Sequence, residues 1–269
     1  MVGVSIFYIK KSIFEFFKRR IIRIFPLYII ICFIYIIIIN GTAFDYFICV
    51  TTFGFWTGNL WYDWYIPAIL LFYLLYPLIA KLLNKFGLHF VVILALLILG
   101  IISYLQISTD CQFADIRMFA LSRFPAFVLG AYCGYLTIQN KEGKYLSIVF
   151  AISGILGFIL YMGIVVNTHF SLLSGVRKFL HILYAPGLCF LFSAILALSY
   201  KYMKIVNAIL STCGKMSLEL YLIHVKFFDK MPFFDPDYRL VYGLTIVSLT
   251  FLLAYAVNKI LQRFNKMIL

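Results

Sequence analysis

Arg20 and Arg23 stand three residues apart in the stretch Phe16-Phe-Lys-Arg-Arg-Ile-Ile-Arg-Ile-Phe-Pro-Leu-Tyr28. On a helix that spacing puts both guanidinium groups on one face, with Arg19 adjacent and within one turn of Arg23. Two guanidinium forks side by side suit phosphate, because each fork can donate two parallel hydrogen bonds to it. An anionic cofactor such as an acyl-coenzyme A fits that chemistry. The same spacing fits arginines that hold a helix end at anionic lipid by snorkelling.

Glu219 is the only carboxylate deep inside an apolar segment, and ionisable groups in such a position are functional candidates by default. A structural partner for an arginine on a neighbouring helix is the plainer alternative. His224 lies five residues on, about 140° around a helix, so the two share no face and do not form a pair. A satisfied histidine near a helix end accounts for it equally. Arg123, with Asp115 and Arg117 before it, is placed to contact a saccharide or a lipid headgroup, or to act as a snorkelling anchor. Trp56, Trp61, Tyr62, Trp64 and Tyr65 can stack on sugar rings or form the aromatic belt of a membrane interface. His169 and His181, twelve residues apart with no carboxylate between them, make a poor metal site, and no metal is expected.

The elements that position these residues are set by composition. Of 269 residues 64% are hydrophobic and 12% charged, with a mean hydropathy of +1.02; an ordinary soluble domain carries about 25% charged residues. Residues 29–39 are all aliphatic, aromatic or Cys. Apolar stretches of about 18 or more residues recur, so the chain is expected to be an all-α, polytopic helical membrane protein. Eight spans are expected, over residues 24–40, 65–83, 89–107, 118–138, 145–166, 180–200, 209–228 and 240–258. Pro26 falls near the start of the first, where a missing amide costs least. Residues 44–55 are apolar but too short to span, and residues 110–117 read as a polar loop.

The net charge of +13 raises a nucleic-acid partner, but the distribution excludes it. Of the 23 Lys and Arg, sixteen fall on one proposed side of the membrane, at the two chain ends and around alternate connections between apolar segments, as the cytoplasmic side of an inner-membrane protein does. Both termini are therefore expected in the cytoplasm. The six cysteines are scattered singly, which indicates neither a disulfide framework nor a zinc site. No internal repeat or soluble domain stands out, so residues 1–269 are expected to form a single membrane-embedded domain.

Four stretches together resemble the acyltransferase-3 family of integral membrane acyltransferases. They are Phe17-Lys-Arg-Arg-Ile-Ile-Arg-Ile-Phe-Pro-Leu-Tyr28, Leu60-Trp-Tyr-Asp-Trp-Tyr-Ile-Pro-Ala-Ile-Leu-Leu-Phe-Tyr-Leu-Leu-Tyr-Pro77, Arg123-Phe-Pro-Ala-Phe-Val-Leu-Gly130 and Gly214-Lys-Met-Ser-Leu-Glu-Leu-Tyr-Leu-Ile-His224. The resemblance implies transfer of an acyl group, commonly acetyl or succinyl, from cytoplasmic acyl-CoA to a hydroxyl of a cell-envelope polysaccharide or glycolipid. Membrane lipid and a saccharide or glycolipid acceptor are the implied partners. Arg20 and Arg23 match the family's Arg-x-x-Arg pair, associated with the donor, and His224 falls in its late Tyr-Leu-x-His motif. The family's first helix carries an Arg and a His, the latter viewed as catalytic base or acyl relay. Neither has a counterpart here, and Met1-Val-Gly-Val-Ser resembles the remnant of the second helix. The chain is therefore expected to be an N-terminally incomplete member lacking the first two helices, with its catalytic residue unassigned and its activity open. A non-enzymatic transporter or flippase for glycan intermediates is the alternative. Such proteins often carry paired broken helices, a symmetry that the sequence does not display.

Overall fold

The computed structural model describes residues 12–60, 62–108, 112–138, 144–166, 181–198, 202–229 and 239–268. Residues 1–5, together with Trp61, His169 and the loop positions Asp110, Arg177, Lys178 and 235–237, lie outside them, as does the side chain of His181. The described helices are α1 (Ile13–Ile38), α2 (Ala43–Val50), α3 (Phe53–Thr57), α4 (Tyr65–Phe86), α5 (Leu88–Ser108), α6 (Gln112–Ser122), α7 (Phe124–Ile138), α8 (Lys144–Val166), α9 (His181–Leu198), α10 (Lys204–Lys215), α11 (Ser217–Asp229) and α12 (Arg239–Ile268). Among the described residues there is no strand.

Four segments, Ile13–Ile38, Tyr65–Phe86, Ile116–Leu136 and Leu240–Arg263, are long and apolar enough to cross a membrane, and shorter apolar helices lie at Leu88–Ile102 and Ile152–Gly163. The chain is an all-α polytopic membrane protein, as the composition requires. In hydrocarbon every backbone amide must be satisfied within its own segment, which leaves helices as the answer for these apolar runs. The exposed faces carry large apolar side chains, among them Leu240, Val241, Leu244 and Leu252 of α12.

Several boundaries differ from expectation. The first helix begins at Ile13, so Lys18, Arg19, Arg20 and Arg23 lie within it and Pro26 sits in its middle rather than near its start. Membrane helices tolerate such a proline because neighbouring groups satisfy the freed carbonyl. Residues 112–117, read as loop, belong to α6. The expected fourth span is interrupted at Arg123, where Pro125 removes an amide and disfavours helical backbone at the residue before it. The seventh is interrupted at Met216, next to Gly214. The last helix runs ten residues past the expected end at Asn258.

The chain divides into two compact units, Met1–Phe17 with Thr52–Leu198, and Lys18–Thr51 with Ser199–Leu269. In the first, Phe16 packs against Tyr76 and Tyr73 of α4, and Phe72 meets Phe124 and Phe127 of α7 with ring centroids 4.9 and 5.4 Å apart. Helices α8 and α9 pair most extensively, at a point where Gly154 lies against the backbone of Gly187. In the second unit Ile24, Leu27, Tyr28, Cys32 and Ile36 form the buried stripe of α1, spaced at three and four residues as an amphipathic face requires. The Tyr28 hydroxyl donates to the Cys49 carbonyl at 3.3 Å, and the Cys49 and Cys32 sulfurs lie 3.4 Å apart. Thr42 and Asp45 close a capping box at the start of α2. The Thr42 backbone amide, and then its hydroxyl, hold the Asp45 carboxyl below the usual carboxylate range.

Candidate active site

Arg20 and Arg23 lie on consecutive turns of one unbroken helix, α1, as their spacing predicts. Arg23 is exposed and Arg20 half-buried. One amine of Arg23, Nη2, donates to the main-chain carbonyl of Lys215 at 3.4 Å. That carbonyl is available because α10 stops at Lys215, and the last four carbonyls of a helix lack intrahelical partners. A cation at this end also complements the negative end of the α10 dipole.

The chain restarts as α11 at Ser217, which puts Glu219 in the first turn of a helix and not deep inside a continuous span. The positive end of α11 favours a carboxylate there. Glu219 is only 4% exposed. Its Oε1 accepts a hydrogen bond of 2.8 Å from Asn258 Nδ2, while its Oε2 is enclosed with no hydrogen-bond partner among the described residues. Asn258 Nδ2 also reaches the Lys215 carbonyl, at 3.5 Å, and Asn258 Oδ1 accepts from Gln262 Nε2 at 2.7 Å. Arg23 and Glu219, 196 positions apart in the chain, thus meet around one interrupted helix, joined through the Lys215 carbonyl and the Asn258 amide.

The plainer expectation for Glu219 was an arginine partner; its observed partner is an amide. Asn258 and Gln262 escaped the sequence reading, although two amides one turn apart near the end of an apolar segment are a readable signal. His224 makes its hydrogen bond within its own helix. Its Nδ1 lies 2.6 Å from the Leu220 carbonyl, and since a carbonyl only accepts, this nitrogen carries the hydrogen. Its ring stands edge-on to Tyr221 at 5.7 Å.

Arg123 belongs to the other compact unit, at the break between α6 and α7. Its guanidinium lies 4.3 Å from the centre of the Phe119 ring, a cation–π distance. Phe119 in turn packs edge-on against Trp64 at 4.9 Å. Arg117 Nη1 donates to the Trp56 carbonyl at 2.9 Å. Tyr62 and Phe55 are buried, so part of the aromatic cluster belongs to the core of its unit.

Among the described residues, helices without strands, lipid-suited outer faces and two half-helices meeting at buried polar groups define a polytopic membrane protein with interrupted helices. The family model described as an acyltransferase domain, that of the acyltransferase-3 family, matches residues 2–259, and the chain belongs to this family. No curated protein and no solved structure matches the chain. The family makes it a membrane acyltransferase in general terms.

Proposed function

We propose that the protein moves an acyl group, acetyl or succinyl, from cytoplasmic acyl-CoA to a hydroxyl of a cell-envelope polysaccharide or glycolipid, and that it sits in the inner membrane with both termini in the cytoplasm. In that reaction the acceptor oxygen bonds to the thioester carbonyl carbon, the carbon–sulfur bond breaks, and the hydroxyl proton ends on the coenzyme A thiol. The observation that carries the reading is the pair on α1. Arg20 and Arg23 share one helix face, and the hydrogen bond of Arg23 to the Lys215 carbonyl engages only Nη2. A guanidinium has five N–H donors, so such a bond orients the fork and leaves donors for phosphate oxygens. Asn258, held by Glu219, reaches the same carbonyl.

With the purified full chain in neutral detergent, Arg20→Ala and Arg23→Ala are each expected to weaken acetyl-CoA binding by about tenfold or more, the scale of one hydrogen bond to a charged group. Calorimetric titration reads this directly. Unchanged affinity in both variants would remove the donor clamp.

A second reading, a transporter or flippase for glycan intermediates, gains from one observation. Each compact unit contains an interrupted helix, α6/α7 in one and α10/α11 in the other, the device on which many transporters build their sites. Movement of a labelled glycan lipid across proteoliposomes without any acyl donor would favour it, and consumption of acetyl-CoA with no such movement would exclude it.

A further inference from the structure

The interruption between α6 and α7 lies inside an apolar segment, Ile116–Leu136, and holds Arg123 there. The two arginines of this segment are satisfied differently. Arg117 has a carbonyl at 2.9 Å. Arg123 is half-buried, and its guanidinium meets one ring face, that of Phe119, with no hydrogen bond or ion pair to another side chain or carbonyl among the described residues. The Tyr184 and Tyr161 rings pack on each other with centroids 5.3 Å apart and interact with the guanidinium only at longer electrostatic range. Phenols bring hydroxyls that donate or accept, but they bring no negative charge at neutral pH.

A charged group held between apolar helices is expensive unless an opposite charge meets it. Stacking on Phe119 covers the flat face of the guanidinium and leaves its edge, where the N–H donors point, for an acceptor. A planar fork matches two oxygens of a phosphate.

We propose that Arg123, its guanidinium backed by the Phe119 ring, is a binding site for the phosphate group of a membrane-borne amphiphile. The occupant is a phosphate ester anchored by lipid chains, whether a phospholipid or a lipid-linked saccharide phosphate. The site goes beyond the donor reading and stands whether or not Arg20 and Arg23 hold acyl-CoA.

The test uses the full chain in neutral detergent, with bound lipid counted by native mass spectrometry. The probes are phosphatidylglycerol, a polyprenyl phosphate, and a neutral glucosyl diacylglycerol with the same acyl chains as the first. The wild type is expected to retain the two phosphate-bearing probes about tenfold better than the neutral one. Arg123→Gln should abolish the preference, and Arg123→Lys should keep a fraction of it because the charge remains without the fork. Phe119→Leu, which preserves the apolar volume but removes the ring, should weaken retention several-fold and serves if Arg123→Gln does not fold. A stronger response to the polyprenyl phosphate assigns the site to lipid-linked saccharide, and a stronger response to phosphatidylglycerol assigns it to phospholipid. Displacement of either by millimolar inorganic phosphate would show that the phosphoryl group alone is read. An equal preference in Arg123→Gln, an equal loss in the control Arg117→Gln, or no preference in the wild type overturns the site.

Discussion

Gly154→Ala is expected to destabilise the pairing of α8 with α9 by about 1–3 kcal/mol, at the upper end of that range for an overpacked core position. A Cβ at Gly154 would sit 2.6 Å from the Cα of Gly187, 2.8 Å from its carbonyl carbon and 3.1 Å from the Leu188 nitrogen. All three atoms are backbone, so no side chain can rotate away and a helix must move. Close approach through small residues drives helix association where lipid removes the hydrophobic incentive, and a displaced helix loses its dispersion contacts along the whole seam. Gly163→Ala, on the same helix with nothing within 4 Å of the added Cβ, provides the control. It should be neutral or stabilising, since alanine is favoured over glycine in a helix by roughly 0.5–1 kcal/mol. Thermal unfolding midpoints in detergent compare the two. If they shift equally, the helices do not approach as closely as described.

Glu219 carries the second large effect. Truncation by Glu219→Ala leaves the Asn258 amide without its 2.8 Å acceptor and opens a cavity at a site only 4% exposed. Asn258 Nδ2 then keeps only its longer 3.5 Å contact with the Lys215 carbonyl; a hydrogen bond to a charged group contributes about 1.5–3 kcal/mol, and the lost packing adds to that. Glu219→Gln keeps the shape and an oxygen for Asn258, so its unfolding midpoint is expected close to wild type. Acyl transfer measured in the same two variants separates structure from chemistry. Should Glu219→Gln fold and transfer normally, the carboxylate is a brace for Asn258 and Lys215. Loss of transfer in a stably folded Glu219→Gln would place the carboxylate among the working groups. A Glu219→Ala variant as stable as wild type would contradict the hydrogen-bonded junction itself.

Much of the fold was legible because the membrane imposes it. Each expected apolar run corresponds to a helix or to an interrupted pair, since a run of apolar residues in lipid has few other ways to satisfy its amides. The helical register of Arg20 and Arg23 and the separation of Glu219 from His224 followed from 3.6 residues per turn alone. Boundaries were harder. Lys18, Arg19, Arg20 and Arg23 look like the end of a span, yet charged residues make good helix and α1 runs through them. The Pro125 break at Arg123 carried a readable signal that a hydropathy average smooths over; the break at Met216 has only Gly214 and Ser217 beside it.

The sequence by itself determined the class of the protein, its helices, its family motifs and the candidacy of Arg20, Arg23, Arg123, Glu219 and His224, because these depend on local composition and periodicity. Only the tertiary structure decided which candidates meet. Arg23 and Glu219 converge because the carbonyl that α10 leaves unpaired at Lys215 draws donors from α1 and α12, while Nδ1 of His224 is taken by its own helix at Leu220. Such partnerships join positions far apart in the chain. They are settled by which unsatisfied polar groups packing brings within hydrogen-bond reach, and no local pattern records that.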